Sequence, residues 1–174
     1  MQDGPRILTS TDVRDVTTTQ QDALGAVGQT GDGRRYRYAK AGAADLAAGK
    51  VAVNADIVAN HVNRAPGANV NIGDKSLGVA IGATAVVADF YAGGFLTVNA
   101  GTGAGISYKV VGNTASAGST TITVTLAAPV LVALVASADS KVALTASYYQ
   151  GILISHVAML EDRSRDALGR GVAL

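Results

Sequence analysis

From residue 78 onward, apolar and polar side chains alternate with a period of two, not with the three-and-four spacing of a helix. The clearest run is Thr120-Thr121-Ile122-Thr123-Val124-Thr125-Leu126, where hydroxyl and aliphatic side chains take turns. Such a run turns one face to a core and the other to water. The pattern predicts strands at 78–87, 95–99, 105–111, 120–126, 141–147 and 150–155. Gly- and Asn-containing breaks at this spacing fit a compact β-sandwich or β-barrel. Pro129 either opens a 130–135 segment or marks it as an edge strand, since proline cannot donate to a ladder. Between the second and third strands lies Asn99-Ala100-Gly101-Thr102-Gly103-Ala104-Gly105. A phosphate-cradling loop must open into a helix whose N-terminal amides meet the anion. The strand-like Ile106-Ser107-Tyr108-Lys109-Val110-Val111 follows instead, which makes this loop a hairpin turn.

The first part of the chain is patterned differently. Residues 1–30 are polar with scattered apolar positions and are expected as an extended N-terminal arm. Thr30-Gly31-Asp32-Gly33 is a turn cluster. Arg34-Arg35-Tyr36-Arg37-Tyr38-Ala39-Lys40 then reads as one strand with Tyr36 and Tyr38 on a shared face. The Ala-rich 41–50 suits a short helix, with Gly49 as its C′ residue, or a loop. A strand begins at 51–53, residues 56–63 fit helix or strand, and Pro66-Gly67 marks a loop. At the other end, 156–174 mixes charges and spaces Val157, Leu160 and Leu168 as a helix would. The expected organisation is an arm (1–30), a single β-rich body (31–155) and a short charged or helical C-terminal segment (156–174).

Composition narrows the chemistry. The chain has 174 residues, the size of one domain with extensions. It contains no cysteine, so disulfides, thiolate metal sites and cysteine nucleophiles are excluded. Glu161 is the only glutamate; every other acid is aspartate, which favours caps and turns over helix interiors. Mean hydropathy is +0.27, yet no apolar run approaches the roughly 18 residues of a spanning helix. The N-terminus lacks the basic and apolar regions of a signal peptide. High hydropathy without a span suggests apolar surface buried against other chains.

No constellation points to catalysis. His61 and His156 are the only histidines, and neither has the companions a zinc site needs. No Gly-x-Ser-x-Gly elbow occurs, and Asp32, Asp74 and Asp139 fall where turns want them. The expectation is a non-enzyme with no catalytic residue, cofactor or metal. Arg34, Arg35 and Arg37 interleaved with Tyr36 and Tyr38 form the one basic-aromatic cluster. With a net charge of +1 and no accompanying basic groove, it reads as a strand whose tyrosines pack inward or at an interface and whose arginines pair with acidic neighbours, not a nucleic-acid platform.

Several phrases in order carry a resemblance. Asp32-Gly33-Arg34-Arg35-Tyr36-Arg37-Tyr38-Ala39-Lys40-Ala41-Gly42 is followed by Leu46-Ala47-Ala48-Gly49-Lys50, then by Gly82-Ala83-Thr84-Ala85-Val86. Tyr91-Ala92-Gly93-Gly94-Phe95-Leu96-Thr97-Val98, the glycine loop with Ser107-Tyr108, Val111-Gly112-Asn113 and Leu126-Ala127-Ala128-Pro129-Val130 complete the series. Over residues 30–154 the chain resembles small β-rich structural proteins encoded beside the major capsid protein in tailed-phage genomes, often head decoration or cement proteins. The resemblance implies a structural virion protein on the outer capsid surface, made in the host cytoplasm. Its expected partners are the major capsid protein and itself, as a trimer first and a dimer second, with neither nucleic acid nor membrane. The residues expected at a capsid or subunit interface are Arg34, Arg35, Tyr36, Arg37, Tyr38, Val157 and Leu160. The alternative is a receptor- or glycan-binding β module of a head fibre or tail, which would carry an aromatic platform or an acidic calcium cluster.

Overall fold

A computed structural model describes residues 6–47, 50–136 and 139–154. They are mainly β, with only two short 3-10 turns, Asp12–Arg14 and Ala59–His61. The strands in chain order are β1 (Arg6–Leu8), β2 (Val27–Thr30), β3 (Arg35–Arg37), β4 (Ala52–Val53) and β5 (Ser76–Ala80). They continue with β6 (Phe95–Ala100), β7 (Ser107–Asn113), β8 (Thr121–Leu126), β9 (Lys141–Thr145) and β10 (Leu153–Ile154).

The alternating sequences build one five-stranded antiparallel sheet in the order β5-β8-β7-β6-β9. In every one of these strands alternate residues are buried. Ile122, Val124 and Leu126 of β8 lie inside, while Thr121, Thr123 and Thr125 face out. Leu96, Val98, Val142 and Leu144 are wholly enclosed. Burying each such side chain favours folding by about 1.5–3 kcal/mol, so this core dominates stability. Residues between strands complete it: Val70 bridges Leu134, and Val86 bridges Ser116.

The sheet is not a closed barrel, because its ladder ends at β5 and β9. The gap between those edges is spanned by residues 64–67. Arg64 pairs antiparallel with Val142 of β9, exchanging hydrogen bonds of 2.8 Å in both directions. Two residues on, Pro66 bridges Val79 of β5, with Gly67 N–H donating to Gly78 at 2.9 Å and Ala80 N–H to Ala65 at 3.1 Å. The loop predicted around Pro66 thus serves as a short staple between the edges. Proline fits there because its missing donor interrupts no regular ladder.

Two bulges break the alternation. In β7 the register shifts between Val110 and Gly112, leaving Val111 as the extra, exposed residue and turning Asn113 inward. In β6 the shift falls between Val98 and Ala100. A bulge re-aims the side chains beyond it, and here it gives the core a polar residue.

Several boundaries differ from the sequence pattern. The strand expected at 78–87 begins at Ser76 and ends at Ala80. Beyond it the chain leaves β8, and Gly82 N–H donates to Asn60 at 2.8 Å. The 130–135 segment forms no strand; it passes over the core with Leu134 buried and Leu131 exposed. Residues 41–47 contain no helix, and Gly49 lies outside the described residues. Residues 56–63 resolve into the 3-10 turn at Ala59–His61.

The start of the chain does not run out as an extended arm over its described part. β1 pairs parallel with β2, and β2 forms an antiparallel hairpin with β3, giving a separate three-stranded sheet in the order β1-β2-β3. The expected boundary at residue 30 therefore falls inside a hairpin. This small sheet connects to the body where Lys40 N–H donates to Tyr149 at 2.8 Å and Ile152 N–H donates to Lys40 at 2.9 Å. β4 and β10 form a two-stranded ribbon beside that junction.

Candidate functional site

The basic-aromatic stretch is the outer strand of the small sheet. Its turn follows from the sequence: Gly33 takes a φ of +85°, and its N–H donates to Thr30 at 2.9 Å. Asp32 organises this turn. Its carboxylate accepts a short hydrogen bond from the Thr30 hydroxyl and another from Arg34 Nε at 2.7 Å. The Thr30 hydroxyl first, and the Arg34 side chain and N–H after it, hold the Asp32 carboxyl below its ordinary value of 3.8. Both partners are largely exposed, so the ion pair itself contributes little.

The strand places Tyr36 and Tyr38 on one face and Arg35 and Arg37 on the other, with Arg34 at the turn on the tyrosine side. Tyr36 and Tyr38 are half-buried, whereas Arg34, Arg35 and Arg37 are exposed. Tyr36 lies opposite Gly28 of β2, whose missing side chain leaves room for Leu8 of β1 to lie across it. A Cβ at position 28 would sit 2.2 Å from the Leu8 Cδ1. Residues 9–22 fold back over the same face. Thr9 and Asp12 anchor that return reciprocally: Thr9 N–H donates to the Asp12 carboxylate at 2.7 Å, and Asp12 N–H to the Thr9 hydroxyl at 3.2 Å. This is a capping-box arrangement. Tyr38 completes the cover, because its hydroxyl accepts the Gln21 N–H at 2.9 Å and lies 3.4 Å from the Thr17 hydroxyl.

An open groove of about 470 Å³ runs between the returning segment and β2–β3, past Leu8, Val13, Tyr36 and Tyr38. The two tyrosines are therefore walls of an intrachain groove and not a protruding platform. The arginines carry the outward chemistry. Arg34 is occupied by Asp32, and Arg37 Nη1 donates to the Gly25 carbonyl at 2.9 Å. Arg35 pairs with no acid among the described residues. Val157 and Leu160, the other expected interface residues, lie outside the described residues, as does His156.

Sequence reasoning singled out the strand but missed what orients it. Thr17, Gln21 and Asp12 fix the tyrosine face, and they lie in the part expected to be an arm. The Thr9-x-x-Asp12 spacing is the signal that a capped turn follows. The Gln21 contact had no local signature, because it uses a backbone N–H.

A second polar cluster lies in the body. His61 is buried, with Nε2 2.8 Å from the Thr84 carbonyl and Nδ1 against the Tyr91 hydroxyl. A carbonyl only accepts, so Nε2 bears the proton and the tyrosine donates to Nδ1. Tyr91 N–H in turn donates at 2.8 Å to Asn113, the residue that the β7 bulge turns inward. The Asn113 amide donates to Val87 at 3.0 Å and to Thr114 at 2.9 Å. Every member is satisfied from within, so the cluster fastens the 82–94 connection to the core. His61 thus serves as a buried, hydrogen-bonded packing residue. Asp74 and Asp139 likewise serve turns, accepting the N–H of Asn71 at 2.8 Å and of Thr102 at 3.1 Å. Among the described residues no group of His and Asp is placed to hold a metal ion, and no helix is long and apolar enough to cross a membrane.

Compared with protein-family models, with curated proteins and with solved structures, the chain matches none.

Proposed function

We propose that this chain is a structural virion protein that binds the outer surface of a tailed-phage capsid and stabilises its lattice. The observation that carries this reading is the exposed Arg34–Arg37 edge, held out on a small separate sheet by a body whose own interior is given to packing. That arrangement suits a docking element on a stiff support. The body is read as a sandwich-like support, with the residues between strands forming its second layer. The resemblance noted over residues 30–154 supplies the capsid as the surface.

On this reading the protein is not an enzyme, and its partners are the major capsid protein and further copies of itself, a trimer before a dimer. It sits on the outer shell after synthesis in the host cytoplasm. Many copies on one lattice multiply individually weak contacts through effective concentration. Localisation in purified virions by electron microscopy tests the reading, using a label fused to this chain. Label on the icosahedral shell is the expected outcome. Label confined to the tail would overturn it in favour of a receptor-binding module.

A further inference from the structure

β3 ends its sheet, and the hydrogen-bond pattern shows which of its backbone groups remain open. Thr30 N–H donates to the Arg34 carbonyl at 3.0 Å, and Tyr38 N–H donates to the Ala26 carbonyl at 2.9 Å. In an antiparallel pair, alternate residues exchange bonds with the partner strand and those between point away. Arg34, Tyr36 and Tyr38 therefore face β2. The N–H and C=O of Arg35 and Arg37 face the free edge, and no other described residue bonds them. The side chains of Arg35 and Arg37 share one face and are exposed.

Unpaired edges invite strand addition, and charge on the edge decides what is admitted. A second copy pairing antiparallel across this edge would set Arg35 against Arg37 in both directions. Like charges directly opposite are unfavourable. An acidic strand meets the reverse situation. Residues two apart on any strand are about 6.6–6.8 Å apart, so acids at alternate positions come opposite both arginines on the same face.

We infer that β3 binds its partner by strand addition: an extended segment of another protein, acidic at alternate positions, pairs with the free backbone edge of Arg35 and Arg37. This rests on the proposed role of the strand as the docking element and adds the mode and chemistry of the contact. The backbone supplies the register and the two guanidinium groups select the charge.

The test uses the full chain and a blocked hexapeptide alternating Glu and Thr, with a Gln/Thr peptide of equal length as control. Amide hydrogen exchange is followed by NMR. Saturating Glu/Thr peptide is expected to slow exchange of the Arg35 and Arg37 amides by about tenfold or more, leaving Tyr36 unchanged because its N–H is already in the ladder. The Gln/Thr peptide is expected to give no such protection. Arg35→Pro, which removes one outward N–H but no β2–β3 bond, is expected to abolish peptide binding, while Arg35→Gln weakens it several-fold. Should Arg35→Pro fail to fold, the wild-type exchange data decide alone. Absence of binding overturns the inference. So does peptide binding without protection at Arg35 and Arg37, which would mean charge attraction alone. Virion labelling separates the two readings. Shell label with no edge protection would leave the capsid role standing and remove strand addition, while edge protection with tail label would do the opposite.

Discussion

Gly101 and Gly105 occupy one hairpin loop, and both have positive φ, +73° and +91°. Their surroundings differ. A Cβ at 101 would lie 2.0 Å from the Asp139 carbonyl oxygen, whereas one at 105 would meet nothing within 4 Å. Gly105→Ala is therefore expected to cost only the conformational penalty of about 1–2 kcal/mol. Gly101→Ala adds an overpacking cost against backbone and is expected to exceed about 3 kcal/mol in total. Urea denaturation of the two variants checks the difference. The buried polar cluster gives a second test at this scale. Tyr91→Phe leaves His61 Nδ1 without a donor in the core, and the expected loss is about 1–3 kcal/mol in the same assay. Burial pushes the Tyr91 hydroxyl pKa up.

Elements were legible where the period of two was clean. Thr121–Leu126 alternates without interruption and forms β8 at those positions, one residue inside the expected run. The pattern misled where a bulge or a bridge intervened. Nothing in Val110-Val111-Gly112 announces that Val111 is the extra residue, because the bulge is set by pairing with Thr125 and Leu126 of another strand. The 130–135 run is as apolar as a strand, yet its partner is the isolated bridge to Val70. Periodicity reports burial and cannot report which neighbour supplies it. At the candidate site, the basic and aromatic residues were legible as a strand. The folding of 9–22 over Tyr36 and Tyr38 was not, since it rests on single contacts such as Gln21 to Tyr38.

The β2–β3 hairpin carries a pH prediction of its own. The folded-state pKa of Asp32 is depressed below 3.8, so its contribution is present above that value and is lost as pH falls through the lower, folded one. The Thr30 and Arg34 amide resonances are expected to shift in that acidic range in the wild type. Asp32→Asn is expected to show a loosened turn at every pH and no such shift.

On the scale of the whole molecule, the core and the candidate docking edge are built from different stretches of chain. The core cluster draws on residues from Val70 to Leu144, while the small sheet uses the first forty or so residues. Deleting residues 1–25 removes β1 and the turn that covers the tyrosines but no member of that cluster. The variant is expected to keep cooperative thermal unfolding of the body and, on the proposed role, to lose capsid binding in a co-sedimentation assay. Unchanged sedimentation would remove the N-terminal segment from the docking account. This division also explains why the body was the more readable half. A core repeats its demand at every second residue, whereas a peripheral sheet of three short strands leaves too few positions for a pattern.

The staple at residues 64–67 has a consequence for how the molecule folds and comes apart. Arg64 and Val142 are far apart in sequence; their bridge needs β9 and the Pro66–Val79 bridge needs β5, so the staple is complete only once both edges have joined the sheet. Loop closure over such separations is slow, which places folding on the order of milliseconds to seconds. A contact that waits for both edges belongs to the last step, after the rate-limiting barrier. Weakening it, for example with Arg64→Ala, which removes the 2.9 Å bond from Nε to the Ala80 carbonyl, is then expected to speed unfolding and spare refolding. In stopped-flow chevrons the unfolding limb should rise while the refolding limb stays in place. The staple would thus act as a latch that sets the lifetime of the folded body and not the speed at which it forms.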